Sequence, residues 1–138
     1  MHSARYSSPD RLPDVLALIQ VLALDEHTHR SEDGLQSELQ GPPRSAATWA
    51  TLARQHPEFF RFREEGEHGV SLVARHVLPK NAAGVRELHV DITGKLLDAA
   101  IDMYDREMMR RDRARHVIPI VVAILAAAAT IVAALLKS

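Results

Sequence analysis

Apolar positions change their period along the chain, and each change marks an element. In LPDVLALIQVLAL, Val15, Leu16, Leu18, Ile19, Leu22 and Ala23 recur three and four apart, which predicts a helix with a broad apolar face. Pro13 suits its first turn. Ser31 is an N-cap candidate for EDGLQSELQ, where Leu35 and Leu39 lie one turn apart, and GPPR breaks that helix. Ser45 is the expected cap of a third helix, AATWATLARQ, with Trp49, Leu52 and Ala53 on one side, stopped by His56-Pro57. The period then falls to two. Phe60 and Phe62 alternate with Arg61 and Arg63, EEGEHG supplies a turn, and VSLVARHVL returns as a second strand that would include His76.

After a polar linker at 79–90, the pattern becomes helical again. Leu97, Ile101, Tyr104 and Met108 are spaced four, three and four, the spacing of a seam between helices, widened by Leu96, Ala100 and Met103. Such a stripe serves either a second copy or the chain's own core. Asp91 or Thr93 would cap this stalk, which spans 91–116. Residues 117–136, VIPIVVAILAAAATIVAALL, then run for 20 residues without a charge. A helix of that length covers about 30 Å, the hydrocarbon thickness of a bilayer. A buried core helix is the alternative, but a helix apolar on all sides needs protein all round it. The chain is too small to supply that.

The 138 residues therefore divide into a lead at 1–10 expected to be disordered, a domain at 11–78, the linker, the stalk and a membrane span. Lys137 and Ser138 follow the span, which reads as a tail anchor. Arg106, Arg110, Arg111, Arg113 and Arg115 precede it against Glu107 and Asp112, for a net charge of +3. Basic flanks stay cytoplasmic, which places the N-terminal domain in the cytoplasm of a single-pass cell-membrane protein. The same arginines would contact anionic lipid headgroups. Within the span, small residues four apart, such as Ala123 with Ala127 and Ala129 with Ala133, favour close helix association and a homo-oligomer.

The order helix, helix, helix, hairpin over 11–78 resembles a winged-helix domain. SAATWATLARQH stands at the recognition helix and FFRFREEGEHGVSLVARHV at the wing. The expected fold is mainly α with a small β-hairpin, followed by a long helix continuing into the span. The resemblance implies groove contacts from Ala46, Thr48, Thr51, Arg54 and Gln55, and phosphate contacts from Arg44, Arg61, Arg63 and Arg75. The charge runs against that. Residues 1–90 hold 10 basic and 12 acidic side chains, and the wing tip carries Glu64, Glu65 and Glu67. Duplex affinity depends on neutralising phosphates, so a protein or small ligand is the expected partner and nucleic acid the less favoured one.

No hydrolase, zincin or P-loop motif occurs, and the chain has no Cys. No enzyme activity and no cofactor are expected. DEHTH (Asp25, Glu26, His27, His29) is the one metal-like cluster, and it reads better as a solvated helix end. Trp49, Phe60 and Phe62 are the expected domain core. The leading expectation is an anchored interaction module whose stalk and span assemble copies. A membrane-tethered DNA-binding regulator and a membrane-perturbing effector, such as a toxin or defence protein, are the alternatives.

Overall fold

The computed structural model describes residues 6, 8–64, 69–84 and 86–137, with side chains through 133. Its elements are α1 (Arg11–Leu24), α2 (Glu32–Glu38), α3 (Trp49–Gln55), β1 (Phe60–Arg63), β2 (Gly69–Leu72), α4 (Val73–Val77) and α5 (Val90–Lys137). The chain separates into two units, Met1–Tyr104 and Asp105–Ser138. The expected wing-tip residues Glu65 and Glu67 lie outside the described residues.

In the first unit, the apolar face of α1 becomes the centre of the core. Val15, Leu18, Ile19 and Leu22 are buried against Leu35 of α2, Trp49 and Leu52 of α3, and Val70 and Leu72 of β2. Phe60 is buried with them, while Phe62 is partly covered. The hairpin is antiparallel with Phe60 opposite Leu72 and Phe62 opposite Val70, so alternate side chains of β1 face the core. Arg30 adds an antiparallel bridge to Val70 outside the named strands, exchanging N–H···O bonds of 2.9 and 2.8 Å. Gly69 permits this approach. A Cβ there would stand 3.1 Å from the Cβ of His29 and 3.3 Å from the carbonyl oxygen of Arg30.

Polar ties hold the short helices together. Ser31 caps α2 through the Gly34 N–H, as expected. α3 begins later than expected, because Thr48 rather than Ser45 is its N-cap. Ser45 is engaged elsewhere: its N–H and Oγ donate to Asp14 of α1 at 2.7 and 2.6 Å. Glu32 of α2 completes the cap, accepting from the N–H of Trp49 at 3.0 Å and of Ala50 at 2.8 Å. These are the orphan donors of a helix start, and a carboxylate also suits the positive end of the helix dipole.

The second strand ends sooner than its β-branched residues suggest. After Leu72 the chain turns into α4, so His76 lies on a helix and not in a strand. The helix offers His76 Nε2 a bond with Ser71 Oγ at 2.9 Å, and Arg75 a route into the interior.

α5 starts at Val90, ahead of both expected caps, and the N–H groups of Ile92 and Thr93 bond to the His89 carbonyl. Within the first unit, Ala100 is fully buried, and Leu96, Leu97, Ala99 and Tyr104 pack against the core. The stripe over these turns therefore covers the chain's own domain, and Ile101, assigned from spacing to the seam, is exposed. Tyr6 of the lead is buried too, its ring 5.9 Å from Tyr104 and 5.0 Å from His56.

In the second unit, α5 contains a window of mean hydropathy 2.4, none of it buried. Among the described residues it is the helix long and apolar enough to cross a membrane. Pro119 lies inside it, and Thr130 Oγ1 donates back to the Ala126 carbonyl at 2.7 Å.

Candidate functional site

β1 exposes Arg61 and Arg63 on the face opposite Phe60. Neither has a carboxylate partner among the described residues. The Arg30–Val70 bridge brings His29 beside β2, the partner of this strand, and α4 carries His76 to the same place, against Ser71 of β2. The two imidazoles meet edge to face, with centroids 5.6 Å apart. His29, His76, Arg61 and Arg63, with Phe62 and Glu64, line an open cleft of about 570 Å³. A neighbouring hollow shares both histidines and adds Lys80 and Arg86, with Glu26 and His27 on its rim. Arg86 Nε is buried without a hydrogen-bond partner among the described residues.

Electrostatics register this crowding. His29 lies below its ordinary pKa because burial desolvates it and because Arg63 and Arg61 repel a third positive charge. Desolvation also lowers His76, followed by repulsion from His29, Arg61, Arg86 and Arg63. The first unit is slightly acidic as a whole, yet here its cations converge. An anion placed in the cleft would relieve their repulsion and accept their hydrogen bonds.

The other expected contact residues go elsewhere. Arg54 lies over the Phe62 ring at 4.0 Å and pairs with Glu64 at 3.4 Å. Thr48 and Thr51 share a hydroxyl bond of 2.8 Å at the start of α3. Gln55 accepts from Arg11, and Ala46 packs against the core. Arg44 is exposed, away from the residues lining the cleft. Arg75 is corrected outright. It is 3% exposed and donates to the carbonyls of Ala23 (3.0 Å) and Asp25, so it ties down the C-terminus of α1 and presents nothing to phosphate.

Asp25 likewise pairs with Arg30 and with His27, at 3.2 Å in the second case. Among the described residues no group of three or more His, Cys, Asp or Glu is placed to hold a metal ion. In the second unit Arg106, Arg110, Arg113 and Arg115 are exposed, and Arg111 pairs with Glu107 at 3.4 Å. Met108 is partly covered.

His29, His76 and Arg86 were missed as site residues in the sequence. They stand far from Arg61 in the chain, and no local spacing links them. The one available signal was Gly69 after a polar turn, a position where backbone can approach closely. Compared with known proteins, the chain matches no family model, and no curated protein or solved structure is significantly similar to it.

Proposed function

We propose that the chain is a membrane-anchored recognition module, held by the apolar part of α5 as a single pass with its folded domain in the cytoplasm. The winged-helix-like domain offers the cationic cleft to a ligand or partner protein, and α5 assembles copies in the bilayer. The observation that carries this reading is the uncharged, unburied stretch of α5 directly after five arginines. An arginine in mid-span costs about 2.5–3.5 kcal/mol of insertion free energy. Ala127→Arg should therefore release the full chain from membranes on alkaline extraction, while the native chain stays in the pellet. Native chain in the soluble fraction would sink the proposal. Cross-linking in intact membranes tests assembly, and a chain that stays monomeric there removes that part.

A second reading, a tethered DNA reader, draws support from Arg61 and Arg63 on the hairpin and from the Arg30 bridge beside it. It requires duplex binding that weakens steeply with salt and is lost in Arg61→Ala. No binding at low salt would end it.

A further inference from the structure

We propose that the cleft between β1, α4 and the segment before α2 binds a phosphate ester carrying at least two negative charges, held by Arg61, Arg63, His29 and His76. The inference rests on the domain being a recognition module and names its ligand class. Three observations support it. Arg61 and Arg63 are exposed and lack carboxylate partners among the described residues, and a guanidinium fork matches two phosphate oxygens at once. The histidines arrive from two other segments and face the same space, so the cations converge from separate parts of the fold. Finally, about 570 Å³ with Phe62 in the wall leaves room for an organic body beyond the phosphate.

A compact anion fits this arrangement better than duplex DNA. On α3, Thr48 and Thr51 bond each other, and Arg54 lies over Phe62 and pairs with Glu64, so its charge is partly matched within the domain. The charge lies in a recess instead of along that helix.

Binding should also raise the proton affinity of the two histidines. In the free protein His29 and His76 face Arg61 and Arg63 from β1, Arg86 and Lys80 from the segment after α4, and each other. Glu64, engaged with Arg54, is the nearby acid of the cleft, and Glu26 and His27 line the adjoining hollow. A phosphate reverses the field at both imidazoles, so their pKa values rise when it binds.

The test uses the full chain in phosphatidylcholine nanodiscs, titrated by calorimetry with inorganic pyrophosphate at one fixed pH. The expected result is saturable binding, about tenfold weaker in Arg61→Ala or Arg63→Gln. Lys95→Ala, an exposed change outside the cleft, should match the native chain. Imidazole signals of His29 and His76 should titrate higher when ligand is added to the same folded chain and return when it is removed, a reversal that misfolding would not produce. If nanodiscs containing phosphatidylinositol bisphosphate move those signals while pyrophosphate does not, the phosphate belongs to a lipid headgroup and the site stands. No saturable binding in either arm overturns the proposal, as does native affinity in both arginine variants or a response to duplex DNA alone. Retention of the chain in the nanodisc is read separately. A null titration with the chain retained removes the ligand class only, whereas release from lipid fails the anchored-module reading itself.

Discussion

Glu32 is the side chain through which α2 holds α3 in place, and its removal gives a sharp test of how the first unit is stabilised. Its carboxylate accepts from the N–H groups of Trp49 and Ala50, the first two donors of a helix only seven residues long. Such a helix is not stable by itself and depends on its partners. A hydrogen bond to a charged group contributes about 1.5–3 kcal/mol. Two of them, reduced because Glu32 is half-exposed, put the cost of Glu32→Ala at about 2–4 kcal/mol. That is a large share of the 5–15 kcal/mol typical of a domain.

Glu32 also lies in the first turn of α2, where losing an acid alone costs about 0.3–1 kcal/mol. Asp33→Ala, exposed in the same turn, isolates that smaller effect. Urea unfolding of the full chain in mild detergent can be followed through Trp49, its one tryptophan. With a slope of roughly 1–2 kcal/mol per molar, Glu32→Ala should lower the midpoint by roughly 2 M. If it moves the midpoint no further than Asp33→Ala does, water serves the start of α3 equally well and the reasoning fails.

Three further outcomes follow from the structure. Arg75→Met keeps the aliphatic stem but strands the Ala23 and Asp25 carbonyls; relief of a desolvated charge offsets part of the loss, leaving about 1–3 kcal/mol of destabilisation by the same urea assay. Gln40 follows α2 at φ 59°, a conformation unfavourable for residues with a Cβ, while the Gly41 N–H closes the helix onto Gln36 at 2.8 Å; Gln40→Gly should therefore raise the thermal midpoint, by about 0.5–1 kcal/mol in stability. Because folding lowers the pKa of His29 and His76, the unfolded chain binds more protons just below the ordinary value of 6.5. Their effect on stability is nil above that value and becomes a loss as pH falls through it toward the folded values, and a double His→Gln variant should flatten that acid limb.

Much of the fold could be read locally. The three- and four-residue spacing in α1, the Ser31 cap and the Phe60–Phe62 alternation each depend on neighbours within a turn or a strand, and each has its counterpart in the structure. Readings failed where a distant partner decided the outcome. Ser45 and Thr48 are equally good caps by residue type, and Asp14, 31 positions away, draws Ser45 off. VSLVARHVL is rich in β-branched residues, yet Arg75 reaches the α1 carbonyls and His76 reaches Ser71 from a helix. The spacing of Leu97 and Tyr104 is the same for a dimer seam and for intramolecular packing. It is the buried Tyr6 and Ala100 that show their role in this domain. The cleft was half legible: Arg61 and Arg63 stood out, but their histidine neighbours needed the fold.

The exchange of backbone bonds between Arg30 and Val70 has a consequence for how this surface can diversify. His29 is positioned by main-chain atoms and by the missing side chain at Gly69, and Arg61 and Arg63 by the register of a hairpin. Of the four cationic side chains, His76 is tied to Ser71, while those at 29, 61 and 63 have no hydrogen bond to the scaffold among the described residues. Residues 29, 61 and 63 are thus free to be exchanged for others of different charge without loss of the scaffold, whereas position 69 is not. The cleft is a fixed frame with replaceable lining, and selection could retune what it recognises one substitution at a time.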